Sequence, residues 1–162
     1  MQVPPPTRPL NLAEALQIAG FNRHAFPTPV TVSIDRVLAQ RVATVSRILA
    51  SLVVNGPHGG ANVVIAEREV WPSSESESLW RTYCDANQSR IDASSGAWML
   101  VYGPSEREHL VALLMLVVLF GWGVVVASAG GESCFSLNHD GHVSIWSMDV
   151  DSVQAAAEEL GR

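Results

Sequence analysis

The sequence LVALLMLVVLFGWGVVVASAGG, residues 110–131, is the longest uncharged stretch of the chain and decides the fold. A membrane-spanning helix needs about 20 apolar residues, so length alone would permit a span here. Gly121 and Gly123, however, interrupt the stretch on either side of Trp122. Because a glycine inside a helix costs about 1 kcal/mol relative to alanine, one continuous helix is disfavoured.

The two halves of this stretch also differ in residue type. Leucines dominate before the break and favour helix, whereas the valines at 124–126 are β-branched and favour strand. Arg107 is the only basic residue nearby, so the flanks lack the basic cluster that orients a membrane span. We therefore predict a buried helix over residues 105–120 and a buried strand over residues 123–128 of a soluble protein.

Length and composition predict one folded domain. A chain of 162 residues is long enough to bury roughly two-thirds of its unfolded surface. Residues 1–10 contain four prolines and no apolar segment, so we expect a flexible tail rather than a signal peptide, followed by a single domain over residues 11–162. This predicts a cytoplasmic protein. Cys84 and Cys134 are the only cysteines, too few for a disulfide framework.

Helical and strand patterns alternate along the rest of the chain. Apolar residues recur at helical spacing in one long segment, at Leu38, Val42, Val45, Leu49 and Leu52. Apolar runs at residues 62–66 and 97–102 predict inner strands, the second covered on both faces. Ser105 with Glu108 has the spacing of a capping box. These patterns predict an α+β fold: a mixed sheet of about five to six strands with parallel βα units, a C-terminal antiparallel hairpin, and helices packed on the sheet.

The register of the C-terminal hairpin follows from its side chains. A two-residue loop would divide the apolar residues between both faces, whereas a loop over residues 139–141 places them on one face and lets Gly141 adopt positive φ. The predicted pairs are Phe135 with Ile145 and Leu137 with Val143. The opposite face then displays a polar set with one exposed tryptophan: Cys134, Ser136, Asn138, His142, Ser144 and Trp146. Asp151 is positioned to cap the last helix.

Charge restricts the class of partner. The chain has 16 acidic residues against 10 basic ones, a net charge of −6. An acidic surface repels the phosphate backbone, so nucleic-acid binding is disfavoured, whereas fast association with a basic protein is favoured.

Residues 67–78 form the most polar segment and carry four glutamates. Trp71 lies in this segment and Trp80 follows it, whereas Trp146 lies on the polar face of the C-terminal hairpin. Tryptophans beside carboxylates are typical anchors of protein interfaces, although burial in the core is an equally common environment for each of them. The predicted partner-binding residues are Glu67, Glu69, Trp71, Glu75, Glu77, Trp80, His142 and Trp146.

Catalytic and metal-binding motifs are incomplete. His139 and His142 have a metal-ligand spacing, but the preferred hairpin register points them in different directions. Cys84 is followed by a carboxylate, which disfavours a thiolate nucleophile. Glu67 and Glu69 could serve together as acid and base, but a solvated edge explains them more simply. We therefore predict no catalytic residue, no metal and no cofactor.

These features favour a protein-binding module. A small acidic α+β domain with tryptophans near carboxylates resembles, in general type and without a diagnostic motif, the bacterial immunity and antitoxin proteins that neutralise a toxin by binding it. The resemblance implies a basic protein partner, no nucleic acid and no membrane. The alternative is a small enzyme or ligand-binding domain with a cleft near the sheet edge, using His58, Glu67, His109 and His142. A homo-oligomeric subunit is a third hypothesis.

Overall fold

Seven strands form one open sheet in the part of the chain that the structure describes, and five α-helices pack on it. The computed structural model describes residues 9–34, 39–55, 58–67, 74–92 and 99–162. The strands are β1 (Val30–Ser33), β2 (Ala61–Glu67), β3 (Ile91–Asp92), β4 (Met99–Tyr102), β5 (Gly123–Ser128), β6 (Ser133–Leu137) and β7 (His142–Ser147). The helices are α1 (Leu12–Ile18), α2 (Val42–Val54), α3 (Ser74–Ala86), α4 (Arg107–Phe120) and α5 (Val150–Leu160). The predicted α+β class is confirmed, with a slightly larger sheet than predicted.

Neighbouring strands are antiparallel throughout the sheet, whose order is β1-β7-β6-β5-β2-β4-β3. The prediction of a mixed sheet with parallel βα units is therefore wrong in its strand pairing. Alternate strands of an antiparallel sheet run in the same direction, so α4 joins two like-directed strands, β4 and β5, which lie on either side of β2. The crossover helices are present, but other strands lie between the strands that they connect: one for α3 and α4, and three for α2.

The uncharged stretch forms a helix and a strand, as predicted. α4 ends at Gly121, which has φ 62°, and the Trp122 N–H donates to the Val117 carbonyl at 3.0 Å. A left-handed residue at this position suits glycine, which has no Cβ to clash with the carbonyl that follows. Among the described residues, no helix has both the length and the apolar character needed to cross a bilayer.

The sheet has a hydrophobic core on each face, and the two differ in size. The larger core lies between the sheet and α2, α4 and α5, and α3 adds Trp80 and Cys84 to it. The smaller core lies under α1 and Phe21 and includes Val125, Cys134 and Trp146. β5 borders both cores, so each of its residues is buried. β4 is not covered on both faces as predicted, because α1 packs over β2 and β5 and leaves Val101 41% exposed.

The C-terminal hairpin has the predicted register, with Phe135 opposite Ile145 and Leu137 opposite Val143. Gly141 has φ 81°, and the Asn138 side chain accepts the His142 N–H at 2.9 Å. Trp146, predicted to be exposed, is instead only 6% exposed. The reason is that Phe21 packs against its ring, at a centroid distance of 6.3 Å.

Two helix starts differ from the sequence prediction. Glu106, not Ser105, is the N-cap residue of α4, and it makes no side-chain capping bond to the helix. Its carboxylate instead accepts the Gly103 N–H at 2.7 Å, in the turn before the helix. Asp149, not Asp151, caps α5, and its Oδ1 accepts the Ser152 N–H at 3.1 Å.

The packing of α4 provides a direct test of the larger core. Leu113 is fully buried in this helix, whereas Leu119 is 54% exposed. We predict that Leu113→Ala lowers the free energy of unfolding by about 2–5 kcal/mol, because the substitution leaves a cavity. Leu119→Ala, the matched control, should change it by less than about 0.5 kcal/mol. Urea denaturation followed by circular dichroism measures both, and equal effects would contradict the buried orientation of α4.

Candidate functional site

A groove of about 480 Å³ lies where the C-terminal half of α2, one side of α5 and the paired ends of β6 and β7 meet. Three carboxylates line it, one from each of Glu132, Asp149 and Glu159. We call it the acidic groove. Its volume falls within the range of about 300–1,000 Å³ typical of ligand sites.

One wall of the acidic groove is fixed by the start of α5. Asp149 Oδ1 accepts the Ser152 N–H at 3.1 Å, and its Oδ2 accepts the Ser152 hydroxyl at 2.6 Å. The Asp149 N–H in turn donates to Ser147 Oγ at 3.1 Å. The hydrogen bonds from the Ser152 side chain and backbone hold the pKa of Asp149 below its ordinary value, so this carboxylate stays ionised at neutral pH.

The opposite wall joins α2 to the beginning of β6. The Ser133 hydroxyl donates to the Leu52 carbonyl at 2.6 Å, which ties the strand to the last turns of the helix. Glu132 is held by Ser128, whose Oγ accepts the Glu132 N–H at 2.9 Å and donates to Glu132 Oε2 at 3.1 Å. His58 Nε2 lies 3.4 Å from the other carboxylate oxygen, Oε1. The carboxylate at this end of the groove therefore has a defined position.

Charge and exposed apolar surface occur together at this site. No arginine or histidine is found among the described residues that line the acidic groove. Met148 and Val150, on either side of Asp149, are 68% and 65% exposed. Exposed apolar side chains beside a charged concavity are typical of surfaces that bind another molecule. The arrangement suits a cationic group that carries an apolar neighbour.

A second polar cluster, the Arg90 network, lies between α3, β4 and α4. Arg90 donates to Asn87 Oδ1 at 2.6 Å and to Glu106 Oε1 at 2.5 Å, and its guanidinium lies 6.0 Å from the centre of the Tyr102 ring. Tyr83 and Tyr102 are joined by a hydrogen bond between their hydroxyls. Burial raises the pKa of both tyrosines, so both phenols are neutral. With its charges paired and its phenols neutral, this network holds three elements together.

Both cysteines are buried as free thiols. Burial raises the pKa of Cys134 well above its ordinary value, which disfavours the thiolate that a nucleophile needs. The described residues contain no group of three side chains suited to hold a metal ion. His139, one of the two histidines with metal-ligand spacing, is instead 2.8 Å from Glu67 through Nδ1.

The predicted partner-binding residues do not form one surface. Trp80 is 2% exposed and packs edge-on against Trp122 at a centroid distance of 5.4 Å, so the expectation that it is a surface anchor is wrong. The same holds for Trp146, which lies in the smaller core. Tryptophan's large apolar area explains both positions, because burying it outweighs the nearby polar sequence. Glu69 and Trp71 lie outside the described residues.

The remaining predicted residues lie apart from the acidic groove. Glu67 is paired with His139, and Glu77 pairs with Arg81 at 3.0 Å. Glu75 is exposed on α3, and His142 is exposed on β7 opposite Ser33. The histidines of the alternative cleft are also distributed over separate contacts: His58 contacts Glu132, and His109 lies 3.5 Å from Arg90.

The Arg90 network gives a pH-dependent prediction. The Gly103 N–H, followed by the Arg90 guanidinium, holds the pKa of Glu106 below its ordinary value. A carboxyl with a lowered folded-state pKa stabilises the fold above its ordinary pKa, and this contribution is lost as the pH falls through the folded value. We predict that Glu106→Gln destabilises the protein near pH 7 and that the difference from wild type shrinks toward about pH 3.

Urea denaturation at both pH values measures this difference. Glu158→Gln, at an exposed position of α5, is the control and should change the free energy of unfolding by less than about 0.5 kcal/mol. A Glu106→Gln effect that is the same at both pH values would show that the lost contact is not the ionised one.

Sequence reasoning missed the acidic groove because its residues come from distant parts of the chain. The sequence patterns assign no binding role to Asp149, Glu132 or Glu159. The available signal was the pair of apolar residues, Met148 and Val150, on either side of an aspartate in a polar stretch.

No family model, curated protein or solved structure matches this chain.

Proposed function

We propose that this protein is a binding module that holds a basic segment of another protein in the acidic groove. The observation that carries the proposal is the lining of the groove: three carboxylates, and no basic residue among the described ones. An unpaired cation that enters such a site exchanges water for charge-assisted hydrogen bonds, the strongest kind that side chains form. The net charge of −6 adds a long-range attraction for a basic partner.

Arginine fits the groove better than lysine. A guanidinium has five donors in a plane and can bond a carboxylate through two parallel hydrogen bonds. Beside its carboxylates the groove offers neutral polar groups from Ser51, Asn55 and Ser147 that can take further donors. Met148 and Val150 provide the apolar contact that a neighbouring partner side chain would cover.

A protein that neutralises a basic toxin would need an acidic groove with apolar neighbours. We therefore propose that the biological role is that of an immunity or antitoxin protein. The acidic segment at residues 67–78 is the competing surface. Trp80, which follows this segment, is buried in the core and cannot contact a partner. Two glutamates of the segment are already paired, Glu67 with His139 and Glu77 with Arg81. An ion pair that already exists must be broken or shared before a partner can use it. In the acidic groove Glu132 has such a neighbour in His58, whereas Asp149 and Glu159 form no ion pair with another described residue, so the groove is the better surface.

The test uses a labelled peptide of alternating arginine and leucine and its glutamate counterpart, measured by fluorescence anisotropy. We predict that Glu159→Lys weakens binding of the arginine peptide about tenfold or more, because one desolvated charge pair is worth about 1.5 kcal/mol. Affinity should also fall as the salt concentration rises, since the contact is ionic. The glutamate peptide should not bind.

Two variants supply controls for this experiment. Glu158→Lys makes the same charge change on the adjacent, exposed position of α5, which does not line the groove. Glu75→Lys makes the same charge change on the competing acidic segment, residues 67–78. If either variant weakens binding as much as Glu159→Lys, the interaction depends on net charge or on the segment, and the groove is not the site. Co-expression with basic toxins then tests neutralisation through the growth of the host cells. Cells that carry Glu159→Lys should stop growing, whereas cells that carry Glu158→Lys should grow like those with wild type.

The volume of the groove also fits a second function, a small cationic ligand. A free amine or guanidinium compound would use the same carboxylates without needing Met148 and Val150. Replacing both exposed apolar residues by serine therefore separates the two functions. Binding of a protein partner should weaken, whereas binding of a small cation, measured by calorimetry with free arginine, should not change.

A further inference from the structure

The outer edge of β1 is one end of the sheet. The Ile34 N–H donates to the Gly141 carbonyl at 2.8 Å, on the side of β7. Because N–H groups alternate in direction along a strand, Val30 and Val32 also bond to β7, and the N–H and C=O groups of Thr31 and Ser33 point outward. Among the described residues, no backbone hydrogen bond reaches these outward groups.

Sheet edges are normally protected by charged side chains, by bulges, by proline within the strand or by a very short edge strand, and of these devices β1 has the last, with four residues. Residues 25–34 contain no charged side chain, and the pairing of β1 with β7 has no register shift. Pro27 and Pro29 lie before the strand, so they remove no N–H from its outer edge. Thr31 and Ser33 are exposed on one face, while Val30 and Val32 are half-buried on the other, against the larger core. No described part of the chain pairs with this edge, which can accept another strand.

We propose that β1 pairs with β1 of a second copy of this chain, antiparallel and about a two-fold axis at Val32. In this register Thr31 of each copy faces Ser33 of the other, and both pairs exchange two hydrogen bonds through outward-pointing groups. Val32 faces its own symmetry mate, and Val30 faces Ile34. Centring the axis on Thr31 would instead place Ser33 opposite Pro29, which has no N–H to donate.

A second copy of β1 has side chains that match those of this strand on both faces of the sheet. Valine and isoleucine meet valine and isoleucine beside the larger cores, and threonine meets serine on the other face. Because residues 25–34 carry no charge, the pairing brings no acidic side chains of this segment together, in spite of the net charge of −6 on each chain. The dimer would be one continuous sheet across the axis. None of residues 30–34 lines the acidic groove.

Cysteine crosslinking tests the register. Residues that face each other in a non-hydrogen-bonded antiparallel pair have Cα atoms about 4.5 Å apart, within the range of a disulfide. Val32→Cys should therefore form a covalent dimer under mild oxidation, seen on a non-reducing gel at twice the 17.4 kDa chain mass. Thr31→Cys is more exposed but faces Ser33 rather than its own copy, so it should crosslink much less. Equal crosslinking of the two variants would overturn the register.

Sedimentation tests the dimer itself. Wild type should sediment as a dimer at tens of micromolar, and the double variant Thr31→Lys with Ser33→Lys should be a monomer, because four lysines would then surround the axis. Both positions are exposed, so the circular dichroism spectrum of the variant should match that of wild type. A wild-type monomer at all concentrations, or a dimer that persists in the folded double variant, would refute the proposal.

Discussion

Burial of β5 on both faces is the constraint on which the rest of the structure depends. Each residue of this strand is covered, on one side by the helices of the larger core and on the other by α1. A strand in that position must be apolar throughout and must be preceded by a break from the helix that packs over it, which Gly121 supplies. The antiparallel pairing of β2 and β6 with β5 then builds outward from this centre.

The acidic groove is a consequence of how the end of this sheet is closed. β6 begins and β7 ends beside the last turns of α2, and α5 starts directly after β7. Capping α5 places Asp149 in the groove, and the bond from Ser133 to the Leu52 carbonyl keeps α2 in place. A carboxylate that accepts a backbone N–H at the start of α5 therefore also adds negative charge to the groove.

Local patterns predicted most of the elements but not their neighbours. The glycine break in residues 110–131 and the one-sided apolar set of the hairpin were sufficient for α4, β5 and the register of β6 with β7. The insertion of β2 between β4 and β5 depends on long-range pairing, which periodicity does not encode. The groove could not be predicted, because Glu132 and Glu159 come together only through packing of α2 against α5. Trp80 and Trp146 were misplaced because nearby sequence polarity does not determine burial.

The unequal size of the two cores has a thermodynamic consequence. α1 has seven residues and covers the smaller core, whereas four longer helices, α2, α3, α4 and α5, contribute residues to the larger core. Regions with less buried apolar contact open at lower free energy than the whole fold, so α1 should detach in a subglobal fluctuation while the rest of the sheet stays intact. Amide protons of this short helix would then exchange with solvent far sooner than those of β5. The domain thus combines a rigid centre with one cooperative unit of lower stability.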